Sequence, residues 1–115
     1  MTINEYLQMN KSFKRYGEYS MKRLSPKVEC ADGFTMSVQA SKSHYCSPRK
    51  DDVPEYESVE IGYPNQAEEL IFEYAESNGY TETVYGFVPV GLVDQVIEKH
   101  GGFKAIQPNL EYERL

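Results

Sequence analysis

Tryptophan is absent from this chain of 115 residues, and cysteine and histidine occur only twice each. The two cysteines, Cys30 and Cys46, could pair only if the fold brought them together, and a reducing cytoplasm argues against a disulfide. The longest nearly uncharged run, residues 83–93, is too short to span a bilayer. The first residues also lack the continuous apolar core of a signal peptide. We therefore expect no membrane association, a cytoplasmic protein and, in that reducing compartment, free thiols.

Positive charge is scarce outside the first part of the chain. Residues 1–28 hold six Lys or Arg against two Glu, whereas residues 29–115 hold six Lys or Arg against sixteen Asp or Glu. An acidic body repels phosphate backbones, so direct nucleic-acid binding would depend on the leading basic residues alone. The residues that would carry it are Lys11, Lys14, Arg15, Lys22 and Arg23, with Tyr16 and Tyr19 as stacking surfaces.

The composition is that of one globular domain covering residues 1–115, with 40% hydrophobic and 26% charged residues. Within it we distinguish a basic N-terminal segment, residues 1–17, and an exposed loop, residues 41–54. Ser, Pro, Asp and charged residues occur in that loop without periodicity. Ten tyrosines suit binding surfaces, but edge strands use tyrosine for the same reason, and we favour the structural interpretation.

Alternating apolar and polar residues predict a β-hairpin over residues 24–40. A two-residue turn would set Val28 opposite Ser37 and mix the two faces of the hairpin. A three-residue loop over residues 31–33 pairs Val28 with Met36 instead and keeps the apolar side chains on one face. The register therefore predicts the three-residue loop, with its last residue, glycine, in the left-handed conformation.

Further patterns before and after the hairpin complete the fold. Thr2 and Glu5 fit a capping box for a short helix, and the next segment reads as an irregular connector or one more helical turn, over residues 10–17. The later patterns predict, in chain order, a strand over 56–63, a helix over 66–77 capped by Asn65, a strand over 81–89, a helix from Pro89 that ends at Gly101, and a short edge strand over 103–106.

The strand over 81–89 is apolar on both faces, with Val84 and Val88 on one face and Tyr85 and Phe87 on the other, so we expect it to be central. The element order is α-β-β-β-α-β-α. This order predicts an α+β fold, a four-stranded mainly antiparallel sheet with two helices packed on one face.

The loop after the hairpin and the acidic face of the predicted helix are the candidate binding surfaces. Long loops without periodicity are often functional, and this one carries His44, Tyr45, Arg49 and Lys50. The predicted helix presents an acidic stripe that could imitate phosphates, formed by Glu68, Glu69, Glu73 and Glu76. The simpler interpretation of such a stripe is a solvated face.

No motif fixes a reaction. As a zinc half-site, His44 and Cys46 would need two further ligands that the sequence does not offer at a suitable spacing. As a nucleophile, Cys46 would need an imidazole base, either His44 or His100. We expect no catalytic residue, no metal and no cofactor, and the alternative is a thiol-dependent enzyme centred on Cys46.

Two stretches, residues 16–49 and residues 83–102, together about half the chain, resemble small proteins encoded by phages, prophages and mobile elements of gut bacteria. Several acidic single-domain proteins from that setting are similar in size to inhibitors of CRISPR or restriction systems. The resemblance implies a setting more than a mechanism. Our leading hypothesis in that setting is a non-enzymatic protein, an anti-CRISPR or another inhibitor, that blocks a host defence factor in the bacterial cytoplasm by binding a host protein or nucleoprotein complex. The resemblance assigns no residue a role.

Overall fold

The structure, a computed structural model, describes residues 1–16 and 20–104, and the side chains of residues 13–22 lie outside that description. Helix α1, Ile3–Met9, begins at the predicted capping box. The Thr2 hydroxyl accepts from the Glu5 backbone N–H at 3.2 Å, and the Glu5 carboxylate accepts from the Thr2 N–H at 2.8 Å. Two otherwise unpaired donors are thereby satisfied, which confirms the predicted start of this helix.

Two strands form a ribbon separate from the main sheet. Strand β1, Ser12–Tyr16, pairs antiparallel with strand β2, Ser20–Leu24. The predicted connector or helical turn over residues 10–17 is therefore wrong. The first strand of the predicted hairpin is also shorter than expected, because Leu24 belongs to β2 and Pro26, which has no backbone N–H, interrupts the chain before the next strand.

The main sheet has four antiparallel strands in spatial order β3-β4-β5-β6. Its strands are β3, Val28–Glu29; β4, Thr35–Gln39; β5, Ser58–Gly62; and β6, Val84–Pro89. With helices α1 and α2 (Val90–Lys99), this sheet confirms the predicted α+β class. One hydrophobic core joins the helices to the sheet through Ile3, Leu7, Met36, Val38, Ile61, Val88, Val93, Val96 and Ile97.

The β3–β4 hairpin has the predicted register. Val28 lies opposite Met36, and the Cys30 N–H donates to the Phe34 carbonyl at 2.8 Å. Gly33 adopts a φ of 96°, which a residue with a Cβ rarely adopts. The alternation of side chains was sufficient to select the loop length, because only one length keeps the apolar residues together.

The segment predicted as a helix over 66–77 contains only a 3-10 helix, Glu69–Tyr74, and the longer helix is wrong. Asn65 does not cap it. The Asn65 carboxamide instead accepts from the Thr35 N–H and donates to the Gly33 carbonyl, both at 2.9 Å, so it is bound to the hairpin turn. After the 3-10 helix the chain becomes extended at Ala75, which forms an antiparallel bridge with Tyr85.

Strand β6 lies at the edge of the sheet, not in its centre. Tyr85 pairs with Ile61 and Val88 pairs with Val59, so β6 contains one residue more than β5 between these two pairs. Such an extra residue is a β-bulge, and here Phe87 takes a left-handed φ of 53°. The bulge lets Tyr85 and Val88 both enter the core and turns Phe87 to the surface.

Helix α2 ends where the sequence predicts. His100 is its C-cap residue, and Gly101 and Gly102 follow with φ values of 90° and 84°. The predicted edge strand over 103–106 is represented by a bridge between Phe103 and Cys30, and its last two residues lie outside the described part. Within the described residues, no helix has the length and apolar character that crossing a membrane requires.

Two glycines offer a matched test of this backbone. Gly33→Ala should lower the free energy of unfolding by about 1–2 kcal/mol, because a Cβ is strained at a φ of 96° even though no atom of the described residues lies within 4 Å of it. Gly91→Ala, also in open space but in α2, should raise it by about 0.5 kcal/mol. Urea unfolding followed by circular dichroism measures both, and equal effects of one sign would contradict the left-handed turn.

Candidate functional site

The loop between β4 and β5 is anchored from inside by the buried guanidinium of Arg23, which is 1% exposed. Its Nη1 donates to the Asp51 carbonyl at 3.0 Å and to the Tyr56 hydroxyl at 2.5 Å, and it also reaches the Ala40 carbonyl at 3.3 Å. Its Nη2 donates to the Leu7 carbonyl of α1 at 3.0 Å. One side chain thus joins helix α1, the end of β4 and the loop.

This position removes Arg23 from the set of basic residues considered for nucleic-acid binding, because a buried guanidinium cannot contact a phosphate. Lys11 has an acidic partner, since its Nζ lies 3.0 Å from Asp52 Oδ1. The side chains of Lys14, Arg15 and Lys22 lie outside the described part of the chain.

The inner side of the loop buries His44 and Cys46. Nδ1 of His44 lies 2.6 Å from the Ser41 hydroxyl oxygen, and the Cys46 thiol donates to the Ser41 carbonyl at 3.2 Å. Burial raises the pKa of the Cys46 thiol, whereas an activated nucleophile needs a lowered pKa. The pKa of the second thiol, Cys30, is raised to about 11, first by burial and then by the charge of Asp32. Both thiols are free.

The outer side of the loop carries an aromatic pair. Tyr45 and Phe87 are 43% and 48% exposed, and their ring centroids lie 6.0 Å apart at an interplanar angle of 41°. The guanidinium carbon of Arg49 lies 5.5 Å from the centroid of the Tyr45 ring. The Phe87 N–H donates to the Tyr45 carbonyl at 3.0 Å, so the bulge of β6 and the loop are bonded to each other.

An acidic residue borders this pair. A Cβ built on Gly86 would lie 3.3 Å from the Tyr45 Cβ and 3.7 Å from Oε1 of Glu76, so both side chains flank the same point of β6. The backbone of Glu76 is held beside β6, because its N–H donates to the Val84 carbonyl at 3.0 Å. We call the exposed patch formed by Tyr45, Arg49, Glu76 and Phe87 the aromatic surface.

The aromatic surface brings together only part of what the sequence predicts. Tyr45, Arg49 and Glu76 lie on it, and Lys50 is exposed in the same loop. The other predicted residues lie elsewhere: His44 and Glu68 are buried, and Glu69 and Glu73 are exposed on the 3-10 helix. Phe87 was missed as a surface residue, since regular alternation assigns it to a buried face of a central strand. The bulge that exposes it has no local sequence signal here.

A second polar cluster, which the sequence did not reveal, surrounds His100. Nδ1 of His100 lies 2.6 Å from Asp32 Oδ2, and Nε2 lies 2.7 Å from Glu68 Oε1. Both ring nitrogens therefore lie within hydrogen-bond distance of a carboxylate oxygen. The ring stacks on Phe34 with centroids 4.0 Å apart, and Lys99 Nζ contacts Glu68 at 2.9 Å.

The electrostatics of this cluster favour ionised carboxylates. Burial raises the pKa of Glu68, but hydrogen bonds from the Leu70 N–H, Lys99 and His100 outweigh it, and the net pKa is below the ordinary value. The Phe34 N–H and then His100 lower the pKa of Asp32. The cluster ties the hairpin turn, the 3-10 helix and the end of α2 together. Among the described residues no group of three or more His, Cys, Asp or Glu side chains could hold a metal ion.

The fold and the site together define a small α+β protein with an exposed aromatic surface on an edge strand. Its buried histidines and thiols belong to the packed interior. No model of a protein family, no curated protein and no solved structure matches the chain.

Arg23→Met tests the anchor of the loop. The substitution keeps apolar bulk but leaves buried carbonyl oxygens without donors, so we expect the free energy of unfolding to fall by about 3 kcal/mol or more. Tyr56→Phe is the matched control, because it removes one hydroxyl from the same cluster and should cost about 1–2 kcal/mol. Urea unfolding measures both. A loss for Arg23→Met no larger than for Tyr56→Phe would show that the guanidinium is not the anchor.

The His100 cluster predicts a loss of stability in acid. The contribution of Glu68 is present above its unfolded pKa of about 4.3 and is lost as the pH falls through its lower folded pKa. Glu68→Gln should lower stability at pH 7 by about 2–4 kcal/mol and flatten the decline below about pH 4.3. The exposed neighbour variant Glu69→Gln should keep the wild-type decline in urea unfolding at stepped pH. If Glu68→Gln keeps it too, the cluster does not govern acid stability.

Proposed function

We propose that the protein is a non-enzymatic binding protein that contacts a partner protein through the aromatic surface. The observation that carries this proposal is Phe87, an aromatic residue held at the surface in the left-handed backbone conformation and beside Tyr45. The proposal excludes His44 and Glu68 from the contact, since both are buried. It keeps Tyr45, Arg49 and Glu76, which the sequence suggested.

Fold stability alone does not account for Phe87. A left-handed φ costs about 1–2 kcal/mol for a residue with a side chain, and a half-exposed ring recovers only part of the benefit of burial. Strained backbone is often found where function requires a particular side-chain position. Here the strain places a phenyl ring against Tyr45, whose own ring lies 5.5 Å from the Arg49 guanidinium carbon, and aromatic residues with arginine form the centres of protein interfaces.

Strain and exposure occur at a second aromatic residue. Tyr63 has a φ of 50° and is 54% exposed, but it follows β5 at the end where Gly62 pairs with Val84. Phe87 differs because its backbone and its ring both contact Tyr45. A pair of rings offers a wider rigid contact area than one ring, which favours Phe87 as the centre of the interface.

The positions of the reactive side chains support a role without catalysis. Cys46 is buried and its thiol pKa is raised, which opposes nucleophilic use. Both ring nitrogens of His100 lie within hydrogen-bond distance of carboxylates, which leaves neither nitrogen open to a substrate.

The partner that we propose is a host defence factor in the bacterial cytoplasm, a protein or nucleoprotein complex that the chain inhibits by occupying its surface. The resemblance of residues 16–49 and 83–102 to small phage and mobile-element proteins supports this choice, and an inhibitor of a CRISPR system is its most specific form. The net charge of −6 suits a partner that handles nucleic acid, since such proteins carry basic grooves.

Phe87→Gly separates binding from stability. Relief of the left-handed strain should offset the greater chain entropy of glycine and the lost ring contact, so the free energy of unfolding should stay within about 1 kcal/mol of wild type. Affinity for the partner should fall about tenfold or more, because a central aromatic residue is removed. The partner is identified by capture from host lysate with wild-type protein, and its affinity is then measured with purified components.

Tyr63→Gly is the matched control, because it makes the same kind of change at an exposed aromatic residue of positive φ outside the aromatic surface. Its affinity for the partner should equal that of wild type. If Phe87→Gly leaves affinity unchanged, or if both variants weaken it equally, the aromatic surface is not the interface.

A further inference from the structure

We infer that the aromatic surface accepts a cationic side chain of its partner, arginine above all, between its rings and its carboxylate. This inference rests on the proposed function and names the chemistry of the partner at that same surface. The ligand group is a guanidinium or ammonium presented by a protein segment. The argument depends on the rings, on the acidic side chains around them and on the charge of the surrounding chain.

The rings have free faces that can attract a cation. At an interplanar angle of 41° the Tyr45 and Phe87 rings are tilted, so neither ring fully covers the other, and both remain close to half exposed. Arg49 already places its guanidinium 5.5 Å from the Tyr45 centroid. A guanidinium is therefore compatible with this site, and Phe87 offers a second ring of the same kind.

Two carboxylates, those of Glu76 and Glu60, lie near the aromatic surface. Oε1 of Glu76 and the Cβ of Tyr45 flank the same point of β6, at 3.7 Å and 3.3 Å from a Cβ built on Gly86, and Oε1 of Glu60 accepts from the Tyr45 N–H at 3.2 Å. An arginine that stacks on a ring can form a fork of hydrogen bonds to a carboxylate at its edge. Aromatic rings beside a carboxylate can therefore recognise an arginine side chain.

The surrounding charge favours a basic protein over a nucleic acid. Arg49 and Lys50 are followed directly by Asp51 and Asp52, and residues 29–115 as a whole are strongly acidic. The exposed carboxylates of Glu69, Glu73 and Glu76 precede β6 in the chain. Phosphates approaching the rings would be repelled, whereas a basic protein segment would be attracted and its binding would weaken with salt.

A pair of small probes tests this inference on the intact protein. Titration of ¹⁵N-labelled protein with Nα-acetyl-arginine methylamide should shift the amide signals of Tyr45, Gly86 and Phe87 in a saturable way. Nα-acetyl-citrulline methylamide has nearly the same shape without the charge, and it should bind about 2- to 5-fold more weakly. Glu76→Gln should reduce the preference for arginine, and the matched variant Glu55→Gln, an exposed glutamate near α1, should keep it.

Equal binding of the two probes, or arginine-induced shifts outside the aromatic surface, would overturn the inference. Stronger shifts at Phe87 with a single-stranded oligothymidylate than with arginine would overturn it in favour of nucleic acid. The proposed function can fail separately. If Phe87→Gly loses affinity for the partner but the wild-type protein shows no preference for arginine over citrulline, the aromatic surface is the interface and only its proposed cationic ligand is rejected.

Discussion

One extra residue in β6 is the constraint on which the exposed surface depends. With regular pairing, Tyr85 and Phe87 would share a face, and Val88 would point away from the core. The bulge places Tyr85 and Val88 in the core together, leaves Phe87 outside and frees its N–H from the β5 ladder. That N–H donates to the Tyr45 carbonyl, so the same irregularity fixes the loop beside the strand. The bulge in β6 therefore determines both the pairing of this strand and the position of the loop.

Two buried polar clusters hold the segments on which this surface lies. Arg23 fixes the loop from below through carbonyl oxygens, and the cluster around His100 fixes the 3-10 helix that leads to Glu76. In both clusters a charged group is removed from water, which is tolerable only because nearly every donor and acceptor is satisfied. The Arg23 Nε is an exception, since it is buried and has no hydrogen-bond partner among the residues that the structure describes. Polar groups of this kind specify where segments meet more strictly than apolar contacts do, because a shift of one residue would leave a charge unpaired.

The features that the sequence predicted correctly act over a few residues. The capping box of α1, the register of the hairpin and the glycine stop of α2 each follow from side chains that are neighbours in the chain. The features that were missed depend on distant partners. Asn65 is an ordinary helix cap by its local pattern, but it binds the turn at Gly33, and Glu68 is an ordinary helix-face residue that meets His100. Tyr45 and Arg49 were placed on the surface by the polar character of their loop, whereas nothing within that loop reveals that His44 turns inward.

At position 87, the residue present is not the one that the stability of the backbone conformation favours. At a left-handed position glycine is the residue that a fold by itself favours, and Gly33 illustrates this at the hairpin turn. At position 87 the chain carries phenylalanine instead, accepts backbone strain there and exposes an apolar ring to water. Neither effect adds to the core, which contains Tyr85 and Val88 but not Phe87. Under the proposed function, the benefit of the ring lies outside the folded chain, in the contact with another molecule that an exposed, rigidly held aromatic pair can provide.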